Sequence, residues 1–254
     1  MSVGVFMLND LVKAKDAIFD GFRNPKFLES TMALVPNKEE HERLLGSAKQ
    51  AIARNPDLLK CDMASIYFAV AQCFEIKLSL SPQMGYAYLI PRKGRCGLEL
   101  GYRGLLALAR RSPFFVSLNA DVVYEQDEFE YSNGTDPFLK HTRTFKTEAV
   151  KCVWVVATIA RDGVRRTEIA IMSGAEVEKV RRNAGPVWAA YPSEMMRKSA
   201  VKRFLKLCPL AVDELDKALG IDDEAEITPS AVSETFANVT PPQTKLDLSH
   251  GETK

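Results

Sequence analysis

A chain of 254 residues, 46% hydrophobic and 26% charged, is long enough to bury a full core as one large domain or as one domain with appendages. No apolar run approaches the roughly 18–20 residues of a membrane span, and no basic stretch with a sustained apolar run opens the chain, so neither a span nor a signal peptide is read. Five scattered cysteines argue against a disulfide framework or a CxxC metal knuckle and predict reduced thiols in a cytoplasmic protein, while a formal charge of +1 excludes a uniformly basic or acidic chain.

In chain order, residues 9–22 and 38–54 read as helices, the second from its apolar spacing at Leu44, Leu45, Ala48 and Ile52, with Asn37 as cap. Asp62 caps a helix over 63–80 that is apolar nearly all round, hence buried, and that Ser81-Pro82 ends. The period then changes to that of strands. Residues 87–91 and 96–101 flank the short loop Arg92-Lys93-Gly94-Arg95, and Arg103–Arg111 is a short helix ended by Ser112-Pro113. Strands follow over 115–124, 128–131, 149–160 and 164–172, with Asn133-Gly134 and Asp162-Gly163 as turns. Ser173 and Glu176 form a capping box that opens a helix to about Arg182, and Ser193 caps a helix that runs to Leu207. From about Gly220 the chain is acidic and without periodicity, which predicts a disordered tail. Helices, then an antiparallel sheet, then helices make the fold class α+β.

The net charge conceals segregation. Residues 92–111 carry six basic and one acidic side chain, and residues 179–206 carry eight and one. The last 34 residues oppose seven acids to two lysines. Such segregation says more than the total.

Catalytic motifs are scarce. There is no GxxxxGK[ST] and no HExxH, and the three histidines His41, His141 and His250 are too few for a metal site or a triad. Pro56-Asp57 with Glu75-Ile76-Lys77 satisfies the PD…(D/E)xK pattern of metal-dependent nucleases. Those enzymes need the carboxylates on adjacent strands, whereas Glu75 and Lys77 lie in a segment of helical period, so the match reads as chance. On the helix over 194–207, Lys198, Lys202 and Lys206 recur every four residues and form one stripe, bordered by Arg203. A lysine stripe is by default a solvated face, but solvated faces interleave Glu with Lys, and here Glu194 is the only acid. Arginine forks hold phosphates and aromatics stack on bases, so Arg92, Lys93, Arg95, Arg103, Arg110, Arg111, Arg181, Arg182 and Arg197 join the stripe as candidate contacts. Tyr86, Tyr88, Tyr102 and Trp188 are candidate stacking residues that suit a core better than a platform, and the glycines of "GYRG" suit either a close ligand or a tight strand-to-helix turn. Read this way, the protein is a non-enzymatic nucleic-acid binder without sequence-specific readout. A metal-dependent nuclease and a structural or RNA-associated assembly protein are the competing readings.

"NPDLLKCDMASIYFAV", "KLSLSPQMGYAYLIPRKGRCGLELGYRGLLALARRS", "VVYEQDEFEYSNGTDPFLKH" and "EMMRKSAVKRFLKLCPL" stand in the order of, and resemble, the RecT family of phage recombinases from about Asn55 to Leu210. The resemblance implies a curved antiparallel sheet with a helix packed across it, flanked by N- and C-terminal helices. It implies ATP-independent annealing of complementary single strands by rings or helical filaments, with no cofactor and with magnesium as a candidate modulator of DNA binding. The implied partners are single-stranded DNA, the annealed duplex intermediate, further copies of the chain, a 5′→3′ exonuclease and the single-strand binding protein of a bacterial host, with no membrane. Under it, residues 1–54 are a helical region for oligomer contacts, 55–212 the annealing core and 213–254 an acidic tail. The hairpin and the basic helix are the DNA-facing parts, from Arg92 and Tyr102 through Trp188 to Lys206.

Overall fold

The computed structural model describes residues 2–146, 149–182, 187–208 and 210–227, and these divide into two compact units. One unit is built from the chain up to Ser81 together with Leu89–Glu99 and, of the described residues near the C-terminus, 224–227. The other is built from Pro82–Tyr88 and Leu100–Asp223.

The helical unit begins with α1 (Ser2–Gly21), α2 (Pro25–Leu34) and α3 (Lys38–Arg54). A 3-10 turn (Pro56–Lys60) leads into α4 (Met63–Glu75). Asn37 caps α3 by accepting the Glu40 N–H at 2.9 Å, and Asp62 caps α4 by accepting the Ser65 N–H at 2.9 Å, as their positions predict. α2 escapes the apolar pattern because only Phe27 and Thr31 are buried on it, and its start is set by Asn24 accepting the Lys26 N–H ahead of Pro25. The core gathers Phe22, Phe27 and Tyr67, with Phe22 ring centroids 5.3 Å from both partners. The Tyr67 hydroxyl donates to the Ile18 carbonyl at 3.2 Å, and burial pushes its pKa up to about 12. His41 is a core histidine, its Nε2 2.9 Å from Thr31 Oγ1 and its ring against Phe74, and burial lowers its pKa.

The helix expected over 63–80 stops at Glu75. Lys77 turns left-handed (φ 51°), so the Lys77 N–H reaches the Phe74 carbonyl and the Leu78 N–H reaches Cys73, the paired bonds of a Schellman ending. Leu78 and Leu80 then pack as extended chain, and Ser47 Oγ accepts the Leu80 N–H at 3.0 Å. Asp57 lies in the 3-10 turn, paired with Lys60, and Glu75 ends a helix, so the nuclease-like carboxylates do not stand on strands.

The hairpin of β1 (Ala87–Arg92) and β2 (Arg95–Leu100) turns through Lys93 (φ 49°) and Gly94 (φ 77°), the two positive dihedrals of a tight primed turn.

The second unit holds α5 (Tyr102–Ala109), β3 (Phe115–Tyr124), β4 (Glu128–Ser132), β5 (Phe138–Thr142), β6 (Val150–Arg161) and β7 (Val164–Ser173). α6 (Gly174–Arg182), α7 (Val187–Ala190), α8 (Pro192–Leu205) and most of α9 (Asp213–Ile227) follow. Among the described residues the strands form three small antiparallel sheets: β1–β2, β4–β5, and β3–β6–β7 with β6 central. Along β6 the residues Val153, Val155, Ala157 and Ile159 are buried, and α8 packs against β3, β6 and β7 with Ala200 and Phe204 buried. Asp127 ties the β4–β5 hairpin down. Its buried carboxylate accepts the backbone N–H groups of Tyr124 and Thr144, both at 2.9 Å, and the Nε2–H of His141 at 3.2 Å. Trp154 Nε1–H donates to His141 Nδ1 at 3.0 Å, so the ring nitrogens keep fixed roles. Burial alone would raise the Asp127 pKa, but these bonds hold it well below the usual carboxylate range.

Three local expectations are corrected here. β5 lacks strict apolar alternation and forms because it pairs with β4 in register, from Glu128 opposite Thr142 to Ser132 opposite Phe138. α8 starts at Pro192 after Tyr191, not at a Ser193 cap, because proline suits a first helical turn. The chain is helical to Ile227 where a tail was expected from Gly220, because Leu215, Ala218, Leu219 and Asp222 recur on one buried face. The sequence beyond, residues 228–254, lies outside the described residues.

Candidate nucleic-acid interface

In the helical unit the hairpin loop is held from below. The Asp62 N–H donates to the Gly94 carbonyl at 2.8 Å, and the Cys96 N–H donates to Ser65 Oγ at 2.9 Å. Arg92 is tied across the strands to Glu99. Lys93 is exposed and Arg95 half-buried, and among the described residues neither forms an ion pair.

In the second unit α5 begins at the "GYRG" stretch, and its glycines serve the turn. A Cβ on Gly101 would stand 2.2 Å from the Gly85 carbonyl oxygen, and one on Gly104 2.1 Å from that of Tyr86. The helix start is pressed onto backbone that only hydrogen side chains admit. Leu105, Leu108 and Ala109 are buried, while Arg103 and Arg110 are exposed and without ion pairs among the described residues, and Arg111 is exposed at the helix end. Tyr102 is half-buried; burial raises its pKa, and the charges of Arg197 and Arg110 act in the opposite sense. Arg197 reaches Glu194 and, at 3.9 Å, Asp121, which Arg143 approaches at 3.7 Å. The Arg197 Nε–H is buried with no acceptor among the described residues. The packing of α8, which carries Arg197, against α5 is what the sequence could not show.

The lysine stripe is paired within the chain. Lys202 is only 8% exposed. Its Nζ lies 2.7 Å from Asp222 Oδ2 and 3.1 Å from Asp223 Oδ1. Lys198 approaches Asp222 at 3.9 Å and Lys206 meets Asp223 at 2.7 Å. Asp222 also accepts the Leu100 N–H at 3.1 Å. The stripe has an anionic partner within the chain, the acidic turn of α9, and the missing i,i+4 glutamates are replaced by two aspartates from the segment expected to be a tail. Other cations are likewise matched. Arg203 binds Glu176, whose carboxyl Arg203 and Ser173 hold down at about 2. Arg181 and Arg182 are exposed and share Glu178 at 3.4 and 3.9 Å. Trp188, a stacking candidate that suits a core better, is a core residue at 7% exposure. A cleft of about 520 Å³ between β7 and α8 is floored by Val155, Met172 and Phe204, and of the expected contacts only Arg203 lines it.

Sequence reading also passed over Arg161, Arg165 and Arg166, which lie in and beside the Asp162-Gly163 turn and looked like ordinary strand ends. All three are exposed. The cue, three arginines in six residues with one acid, is shorter than the basic segments 92–111 and 179–206. Among the described residues, no group of His, Cys, Asp and Glu is arranged to hold a metal, and no helix is long and apolar enough to cross a membrane.

Taken together, fold and surface define an α+β protein that presents cations without ion pairs among the described residues, on a rigid turn in one unit and along a short helix in the other, each suited to a polyanion. Comparison with known proteins supplies the family. Residues 42–237 match the RecT family. The chain is 33% identical over 231 residues to Protein RecT of Escherichia coli (strain K12), covering 85% of this chain and 84% of that protein. It is 24% identical over 170 residues to the uncharacterized protein YqaK of Bacillus subtilis (strain 168), covering 66% of this chain and 59% of that one. The chain belongs to the RecT family, and so to the single-strand annealing proteins of DNA recombination.

Proposed function

We propose that this protein binds single-stranded DNA along its backbone and anneals it to a complementary strand without ATP, as an assembly of many copies. The observation that carries the reading is the set of exposed or half-exposed cations without carboxylate partners among the described residues: Lys93 and Arg95 on the hairpin turn, Arg103 and Arg110 on α5. Annealing requires contacts that neutralise phosphates and leave base edges free, which such cations supply. In this reading Arg197 and Tyr102 support α5 as a phosphate and stacking surface, and β3, β6 and β7 with α8 across them are the scaffold, part of a wider curved sheet. One copy meets few phosphates, so copies arranged head to tail lengthen the track, and weak contacts add. Magnesium acts on DNA affinity alone. A 5′→3′ exonuclease supplies the strand, and the host's single-strand binding protein is met on it, in the cytoplasm of a cell carrying the phage or prophage. Mixing complementary labelled strands with and without the protein, in the absence of ATP, tests the proposal. Annealing no faster with protein than without would refute it, and shortened strands in the presence of magnesium would favour a nuclease instead.

A further inference from the structure

The β6–β7 hairpin ends in a two-residue turn, Asp162 (φ 53°) and Gly163 (φ 77°), that closes on the pair Arg161 opposite Val164. Two positive dihedrals in succession make a primed turn whose twist matches the strands, so the tip is a stiff projection. From Arg161 to Glu168 every residue is exposed. Arg165 stands opposite Ala160 and Arg166 opposite Ile159, so the two arginines leave opposite faces of the sheet. Among the described residues neither forms an ion pair. The Arg161 guanidinium rests 5.2 Å from the centre of the Phe114 ring. Phe114 is itself fixed there, since its carbonyl accepts the Ala160 N–H at 2.9 Å. Arg110 and Arg111 end α5 just before Phe114, across a turn in which the Ser112 N–H bonds Ala109 and the Phe115 N–H bonds Ser112. The end of the three-stranded sheet is therefore ringed by five arginines on three adjacent segments. The acid among them is Asp162, in the turn itself, and Glu168 follows two residues after Arg166 on the same face without pairing to it.

We propose that this arginine rim is a phosphate-binding surface for a nucleic-acid backbone, additional to the Tyr102–Arg103–Arg197 end of α5. The proposal rests on the annealing reading and extends its track along α5 and over the sheet end. Two features select a phosphate chain over a protein partner. Guanidinium forks match phosphate oxygens two at a time. A protein interface needs an aromatic or aliphatic centre, and Val164 is the apolar residue of the exposed stretch before Ile169. The α5 helix is eight residues long, so its two ends lie about 12 Å apart. A strand long enough to span that distance engages both ends.

The test is the pair Arg165→Glu and Arg166→Glu, titrated by fluorescence anisotropy against a labelled single strand and, in a separate arm, the pre-annealed duplex, at several salt concentrations. The expected result is a loss of at least tenfold in affinity in one or both arms. The slope of log K against log salt should become shallower by about 1.4 on the single strand, two contacts at roughly 0.7 each, or about 1.8 on the duplex. The arm that loses affinity identifies the species bound. Arg165→Lys with Arg166→Lys should keep the wild-type salt slope while losing part of the affinity, because lysine keeps the charge and gives up the two-point fork; a slope that falls as far as in the glutamate pair overturns the account. If charge reversal lowers the melting temperature, the glutamine pair is read instead, with the same expected slopes. Variants equal to wild type in both affinity and slope overturn the rim alone. A wild-type protein that binds neither ligand overturns the annealing reading itself.

Discussion

Replacing Lys202 by Met separates a structural lysine from a DNA-binding one. The side chain of Lys202 is 10% exposed and that of Asp222 3%, and their charged atoms lie 2.7 Å apart. Methionine keeps most of the length and apolar stem but leaves the Asp222 carboxylate buried, with Lys198 3.9 Å away and the Leu100 N–H as its remaining supports. Removing one member of a buried pair costs about 3–5 kcal/mol, and those supports place this case near the lower end, about 3 kcal/mol. For a chain of this size that lowers the melting temperature by about 6–12 °C. Thermal melts by circular dichroism read the first effect. Salt titration of single-strand binding reads the second, where the slope should stay at its wild-type value because Lys202 meets carboxylates and not phosphates. A variant that melts normally while its salt slope falls by about 0.7 would show that Lys202 faces DNA and that the α8–α9 network has been misjudged.

Arg103→Ala with Arg110→Ala should leave the melting temperature within about 2 °C and flatten the single-strand salt slope by about 1.4, measured by anisotropy; an unchanged slope would remove α5 from the interface. Gly104→Ala, normally favourable in a helix, should destabilise by about 1–3 kcal/mol because its Cβ meets the Tyr86 carbonyl, and denaturant melts will show whether the sign is right. His41 has a folded pKa below its unfolded value, so the unfolded chain binds its proton first: this contribution is intact above about pH 6.5 and is lost as pH falls below it. Glu176, held at about 2, adds stability above the ordinary carboxylate range that is lost as pH falls towards 2, and Glu176→Gln should flatten the melting curve against pH between about 5 and 2.5. Truncation after residue 212 should unfold the second unit, since it removes Leu215, Ala218 and the Asp222 that holds Leu100 N–H; a protease-stable truncated protein would refute the role given to α9.

The α+β class, the caps at Asn37, Asp62 and Ser173, and the two primed turns were legible because each depends on neighbours in sequence. The pairing of charge was not. Lys202 and Asp222 are twenty residues apart, and no local rule joins a basic helix to an acidic segment that follows a proline and a loop. Trp188 shows the same limit: a tryptophan beside arginines fits a core or a stacking platform, and tertiary packing, which buries it, decides. Among the expected contacts, Lys93, Arg95, Arg103 and Arg110 form no ion pair with the described residues, and they belong to the hairpin and α5, where few acids intervene in the sequence and charge counting was a fair guide.

The residues Leu89–Glu99 belong to the helical unit, while the chain on either side of them, Pro82–Tyr88 and Leu100 onward, belongs to the other. During synthesis the first 81 residues therefore emerge from the ribosome incomplete. Asp62 and Ser65, already in place at the start of α4, wait for the Gly94 carbonyl and the Cys96 N–H. By the time these arrive, the first piece of the second unit has been made and waits in turn for a hundred residues of sheet and helix. Domains made from continuous segments finish one after the other as they are translated. Here the nascent helical unit closes only once the ribosome has passed Glu99, so a pause after Ser81 would expose an unfinished core to chaperones and proteases, and a gene cut at that junction would yield two halves that each lack a part.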